Sequence, residues 1–207
     1  MASADDQVKT PANSAGLVQA FLAYSLWGAL PIVFAVYMTP NPVDLLAWRI
    51  VLALGVTLVT VAIVRGGWRR LGLVLKNRRD HLLLILAGHL IAVNWGLYIY
   101  AVASYRVLEA SLGYFINPLM TIVLGVVLLG ERLRPLQWIA VGVSLVAVII
   151  LTIDYGNLPW VSLTLAISFA FYGLVKNKLG PTVDSLTGLT VETMWLSIPS
   201  SAWIVLA

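Results

Sequence analysis

Cysteine is absent, which excludes a disulfide framework and any thiolate metal site. Histidine occurs only as His81 and His89, too few for a histidine-based metal cluster, so neither metal nor cofactor is expected. Charge is scarce as well: 11% of the 207 residues are Asp, Glu, Lys or Arg, against about 25% in an average soluble domain. A soluble domain of this length needs polar residues to cover its surface, and this chain has too few. That shortage excludes a water-soluble globular protein, a disordered chain and a nucleic-acid-binding module. The net charge of +4 reads more simply as a topology signal than as a nucleic-acid footprint. No GxxxxGK string followed by Ser or Thr occurs, so there is no phosphate-binding loop. The first sixteen residues are polar and small, with Asp5, Asp6 and Lys9, and do not form a signal peptide.

What the chain does have is long apolar runs, with 60% hydrophobic residues and a mean hydropathy of +0.94. A helix needs about 20 mostly apolar residues to cross a bilayer. Seven stretches qualify: Leu17–Met38, closed by Pro40-Asn41-Pro42, then Val43–Val64, Leu82–Ala103, Leu108–Leu129, Leu136–Ile153, Leu158–Val175 and Leu186–Ala207. They are apolar all round, as suits helices facing lipid and one another. Alternating short strands of a β-barrel are not seen. The expected fold is an all-α, polytopic transmembrane helix bundle.

Orientation follows from the basic residues. With the N-terminus cytoplasmic, the inner side holds Lys9, Arg65, Arg69, Arg70, Lys76, Arg78, Arg79, Arg132, Arg134, Lys176 and Lys178, and the outer side only Arg106. Arg49 is left inside the membrane. This eleven-to-one split is a positive-inside signal. In the loop Gly66–His81, Trp68, Leu71 and Leu75 fall on one helical face among five basic residues. The loop reads either as a short amphipathic surface helix or as a solvated, topology-setting segment.

The spans echo one another. Leu22-Ala23-Tyr24-Ser25 leads to Trp27-Gly28, and Leu165-Ala166-Ile167-Ser168 leads to Tyr172-Gly173. Val43-Asp44 opens the second span, and Val183-Asp184 precedes the seventh. A five-helix repeat has an odd number of crossings, so its second copy is inverted. Inverted repeats are a recurring plan in secondary transporters, with the substrate near the midplane.

Four further strings carry a family resemblance: Glu109-Ala110-Ser111-Leu112-Gly113-Tyr114-Phe115-Ile116-Asn117-Pro118; Leu129-Gly130-Glu131-Arg132-Leu133 followed by Gln137-Trp138-Ile139-Ala140-Val141; Ser168 to Val175; and Glu192-Thr193-Met194-Trp195. From about Leu17 onward the chain resembles the RarD subgroup of the EamA-type transporters, in the drug/metabolite transporter superfamily. The resemblance implies a ten-helix carrier of two inverted five-helix repeats in a bacterial inner membrane. On that plan residues 1–16 are a cytoplasmic tail, 17–154 the first repeat, and 155–207 the start of the second. The chain then reads as truncated, lacking about three helices relative to what the resemblance implies.

Ionisable groups inside a membrane are costly, so each is a functional-site hypothesis. Arg49 lies about 9 Å below the outer boundary at about 1.5 Å per residue. It either lines the cavity, binding an anion or pairing with a carboxylate, or holds helices in a fixed ion pair. Glu192 lies about 9 Å above the inner boundary. It is either a proton-exchanging carboxylate or a helix N-terminal one favoured by the macrodipole. Glu109, at the start of the fourth span, reads first as a dipole residue, with a mouth or gate role open. Asn117-Pro118 marks a kink that frees a backbone carbonyl, for substrate or for packing. Asn94 and Tyr98 share a face beside Trp95, as a polar group with an aromatic wall or as an interhelical hydrogen bond. His89 reads as structural, and Ala140 with Ser144 as a small-residue packing contact. Trp27 and Tyr114 complete the candidates for substrate or coupling-ion binding.

The function expected first is secondary transport of a small metabolite or drug-like molecule by alternating access. The expected partners are that substrate, the lipid bilayer and, for coupling, protons; a homodimer is left open. The alternative is a membrane receptor or sensor without transport, although the seventh span has no lysine for a retinal Schiff base. An intramembrane enzyme finds no support in a GxSxG string or paired intramembrane aspartates.

Overall fold

A computed structural model describes residues 14–36, 41–130, 133–155 and 159–206. Among these the regular structure is entirely α-helical. The helices are α1 (Ser14–Val36), α2 (Pro42–Ile63), α3 (Gly67–Lys76), α4 (Arg78–Ala103), α5 (Val107–Leu129), α6 (Pro135–Tyr155), α7 (Trp160–Leu179) and α8 (Ser185–Leu206). Seven of them lie on the seven apolar runs. By length and composition, α2, α4, α5 and α8 are long and apolar enough to cross a membrane. Most of the N-terminal tail, the Pro40 breaker, Glu131-Arg132 and Ala207 lie outside the described residues, as does the Ala140 side chain.

Local signals place the helix ends. Asn41 accepts from the Val43 N–H at 3.0 Å, and Pro42, lacking an N–H, begins α2. Asn77 Oδ1 accepts from the Arg79 and Asp80 N–H groups and starts α4. Asp184 accepts from the Thr187 N–H and hydroxyl and starts α8. Gly130, at φ 67, closes α5 in the left-handed conformation that a residue without Cβ tolerates.

The chain forms two units, Met1–Tyr37 and Met38–Ala207. The first contains α1, apolar all round, where Tyr24 and Trp27 meet edge to face at 6.5 Å. In the second unit α5 runs along α7, α2 along α8, and α4 packs against both α7 and α8. One core gathers Val61, Leu71, Leu84, Leu179 and Val191. These lie near the end of α2, in α3, near the start of α4, near the end of α7 and near the start of α8. The other joins Ala101, Ala110, Val161 and Leu165, from the end of α4 and the starts of α5 and α7. Helices α2 and α7 therefore finish, and α4 and α8 begin, at one end of this unit, while α4 finishes and α5 and α7 begin at the other. The basic residues of the α2–α4 connection and of the α7 terminus collect at the first end.

The basic connection does form a helix, α3. Leu71 and Val74 are buried, with Leu75 packed beside them, while Trp68 is 58% exposed.

Candidate functional site

Apart from Trp27, the predicted residues lie on several helices of the second unit, and aromatic rings connect Arg49, Tyr98, Tyr114 and Glu192. On α4, Trp95 lies one position from Asn94, and Tyr98 follows one turn after Asn94. Arg49, on α2, places its guanidinium carbon 4.1 Å from the centroid of the Trp95 ring. Tyr98 and Tyr114 are its electrostatic neighbours. The rings then run in a row: Tyr98 meets Tyr114 of α5 at 5.9 Å, Tyr114 meets Phe169 of α7 at 6.4 Å, and Phe169 meets Tyr172 at 5.9 Å. At the far end the Tyr172 hydroxyl donates to Glu192 Oε2 at 3.3 Å. Lys176 donates to Glu192 Oε1 at 2.8 Å. Such edge contacts suit the ring quadrupoles. An aromatic row therefore links an arginine without a carboxylate partner among the described residues to a carboxylate already paired.

The Glu192 side chain is wholly buried, and Lys176 reaches it from α7. The ammonium sits over Gly188, where an added Cβ would stand 2.8 Å from Nζ. Glu192 is thus the centre of a polar cluster spanning α7 and α8, rather than a solvated carboxylate near a helix end. Gly88 lets α4 approach the Glu192 backbone closely.

Asn94 is buried and donates through Nδ2 to the Leu165 carbonyl at 2.9 Å and to Ser168 Oγ at 3.1 Å. It joins α4 to α7 as an interhelical hydrogen bond, with Oδ1 left without a partner among the described residues. Asn117 Oδ1 is likewise buried and unpartnered among them. The helix α5 continues through Pro118, and the Asn117 carbonyl accepts the Thr121 hydroxyl at 3.0 Å. Gly113 brings α5 against α7: a Cβ there would meet Leu165 Cβ and the Ser162 carbonyl oxygen, both at 2.9 Å.

Glu109 lies at the start of α5, held by both oxygens in the fork of Arg106 at 2.6 and 2.8 Å. Those hydrogen bonds raise the Arg106 pKa above its ordinary value. The Glu109 carbonyl accepts the Ser162 hydroxyl at 2.6 Å. This is a structural helix-start arrangement, and Arg106 also lies 5.1 Å from the Trp160 ring. Trp27 belongs to the first unit, where it meets Tyr24.

An apolar recess of about 280 Å³ opens between α2, α4 and α8, lined by Val43, Ala47, Ile50, Ala92, Leu196 and Trp203 among others. None of the predicted site residues lines it. Val43, Ala47 and Ile50 form one stripe of α2, whereas Arg49 lies on the side that meets Trp95.

Sequence reasoning missed Phe169, Tyr172 and Lys176. Tyr172 and Lys176 are four residues apart, a spacing that puts both on one helix face. It also missed the link between the start of α4 and α8. There Trp195 Nε1 donates to His81 Nε2 at 2.8 Å, and the opposite nitrogen Nδ1 lies 3.2 Å from the Leu75 carbonyl.

The model of the EamA-like transporter family matches residues 14–153. Protein RarD of Streptomyces exfoliatus is 48% identical over 92% of this chain and 59% of the relative. Protein RarD of Escherichia coli K12 is 41% identical over 87% of this chain and 60% of the relative. An uncharacterized transporter of Pseudomonas aeruginosa is 42% identical over 92% of this chain and 63% of the relative. The chain thus spans about three-fifths of the length of these curated relatives. No solved structure matches it. The helical architecture, the family match and the run of RarD relatives agree: the chain belongs to the EamA-like transporter family, on its RarD-type branch.

Proposed function

We propose that this multi-pass inner-membrane chain works as part of a secondary transporter that moves a small metabolite or drug-like molecule. The single observation that carries the reading is the aromatic row from Arg49 and Trp95 to Glu192 and Lys176. Rings on α4, α5 and α7 give a molecule with an apolar body a continuous wall, and the ionisable groups at its ends give it orientation. In this reading seven helices cross the membrane with the N-terminus cytoplasmic. The first five form one repeat, and the next two begin its inverted copy. Alternating access comes from rocking of the repeats. Glu192 exchanges the coupling proton, releasing Lys176 when it is protonated.

Flux of candidate compounds is measured with the full-length gene product in proteoliposomes. Saturable flux that is lost in both Arg49→Ala and Glu192→Gln is the expected outcome. Saturable flux unchanged in both variants removes the row from the mechanism. The topology has its own test: a reporter fused after Asp154 emerges on the outer face, and a cytoplasmic result breaks the inverted-repeat plan.

A further inference from the structure

Arg49 lies about two turns into α2, and no carboxylate answers it among the described residues. Every acidic side chain that the structure describes is engaged elsewhere. Asp44 accepts from Trp203 Nε1, Asp80 from Asn77 Nδ2, and Asp184 from Thr187. Glu109 holds Arg106, and Glu192 holds Lys176. The Arg49 guanidinium carbon lies over the Trp95 ring, 4.1 Å from its centroid, and cation–π attraction offsets part of the lost hydration. A ring face takes no in-plane hydrogen bond, and a guanidinium carries five N–H donors in its plane. Those donors are shaped for the two oxygens of a carboxylate. Tyr98 and Tyr114 flank the cation electrostatically, and the row continues through Phe169.

We propose that Arg49 anchors the anionic group of the transported molecule, so that the substrate class is small organic monoanions, a carboxylate on an apolar or aromatic body. The assignment rests on the transporter reading and narrows it. One guanidinium neutralises one charge. A dianionic phosphate would leave a second charge in a medium of low dielectric, which is strongly unfavourable. The aromatic wall next to the cation takes the uncharged body, and the Arg49 N–H donors take the carboxylate.

The test separates binding from flux. Benzoate is titrated against the purified full-length protein in detergent, with thermal unfolding as the readout, beside benzamide and phenyl phosphate. Benzoate is expected to raise the midpoint saturably, benzamide to leave it unchanged, and phenyl phosphate to act more weakly than benzoate. Arg49→Gln is expected to lose at least nine-tenths of the benzoate shift, as an order-of-magnitude loss of a charge-assisted bidentate contact implies. Should Arg49→Gln fail to fold, Arg49→Lys carries the test: it keeps the charge but not the fork, so the benzoate shift shrinks. An equal benzoate shift in wild type and variant, benzamide matching benzoate, or no benzoate shift overturns the proposal. Saturable flux of a neutral compound without benzoate binding overturns the anion site and leaves the transporter reading standing. Arg49-dependent benzoate binding without flux of any compound supports the anion site and counts against transport.

Discussion

Lys176 on α7 and Glu192 on α8 form an ion pair at 2.8 Å around a carboxylate that no solvent reaches. The lysine ammonium sits over Gly188, and Tyr172, one turn earlier on α7, supplies a second donor to the same carboxylate. Two donors from α7 therefore converge on the two oxygens of one α8 carboxylate. Removing a charge from water is costly, and the cost is met here only while both partners remain.

Lys176→Met is accordingly expected to destabilise the protein by about 3–5 kcal/mol, because it leaves a buried carboxylate without its cation. Combining it with Glu192→Leu removes the unmet charge and is expected to recover most of that loss. Denaturant unfolding of the two variants and of Glu192→Leu alone gives the coupling between the positions. Simple additivity of the two single changes would show that the pair contributes no interaction.

Asp184 predicts a dependence on pH. Burial pushes its pKa up, but hydrogen bonds from the Thr187 hydroxyl and N–H, together with Arg70, outweigh that and hold it below the usual carboxylate value. The folded state thus favours the ionised form. The stabilisation is fully present above the ordinary carboxylate pKa and is lost as pH falls through the lowered folded value. Thermal unfolding from neutral to acidic pH is expected to show a fall in stability that is shallower in Asp184→Asn. Parallel profiles for the two proteins would exclude this carboxylate as a contributor.

At Gly113 the prediction is steric. An alanine there would press on Leu165 Cβ and on the Ser162 carbonyl oxygen, both at 2.9 Å. Overpacking of this kind costs about 1–3 kcal/mol. Gly142, on α6, has nothing within 4 Å of an added Cβ, so Gly142→Ala is expected to be neutral or slightly stabilising. Unfolding midpoints of the two variants make the comparison, and equal effects would contradict the close α5–α7 approach.

The helices were legible because bilayer-length apolar runs have few alternative structures, and because Asn41, Asn77 and Asp184 are cap residues where caps are needed. The site was legible only in pieces. Arg49, Glu192 and Tyr114 stood out as unusual residues in apolar runs, yet nothing in a linear chain pairs Arg49 with Trp95. Lys176 was counted among the topology-setting charges, because a tally of loop cations does not ask which one folds back onto a carboxylate. The bond between His81 and Trp195 joins residues 114 positions apart. Local pattern carries no trace of it.

The hydrogen bonds along α7 are distributed unevenly. Its first half is fastened at Ser162 to the start of α5 and at Leu165 and Ser168 to Asn94 of α4. At its middle α7 meets α5 through rings, at Phe169, and its second half is tied to α8 by Tyr172 and Lys176. Hydrogen bonds resist displacement in a way that ring edges do not. Without its contacts to Glu192, the end of α7 that carries Tyr172 and Lys176 would keep no side-chain hydrogen bond to a neighbouring helix among the described residues, while its first half would keep all of its own.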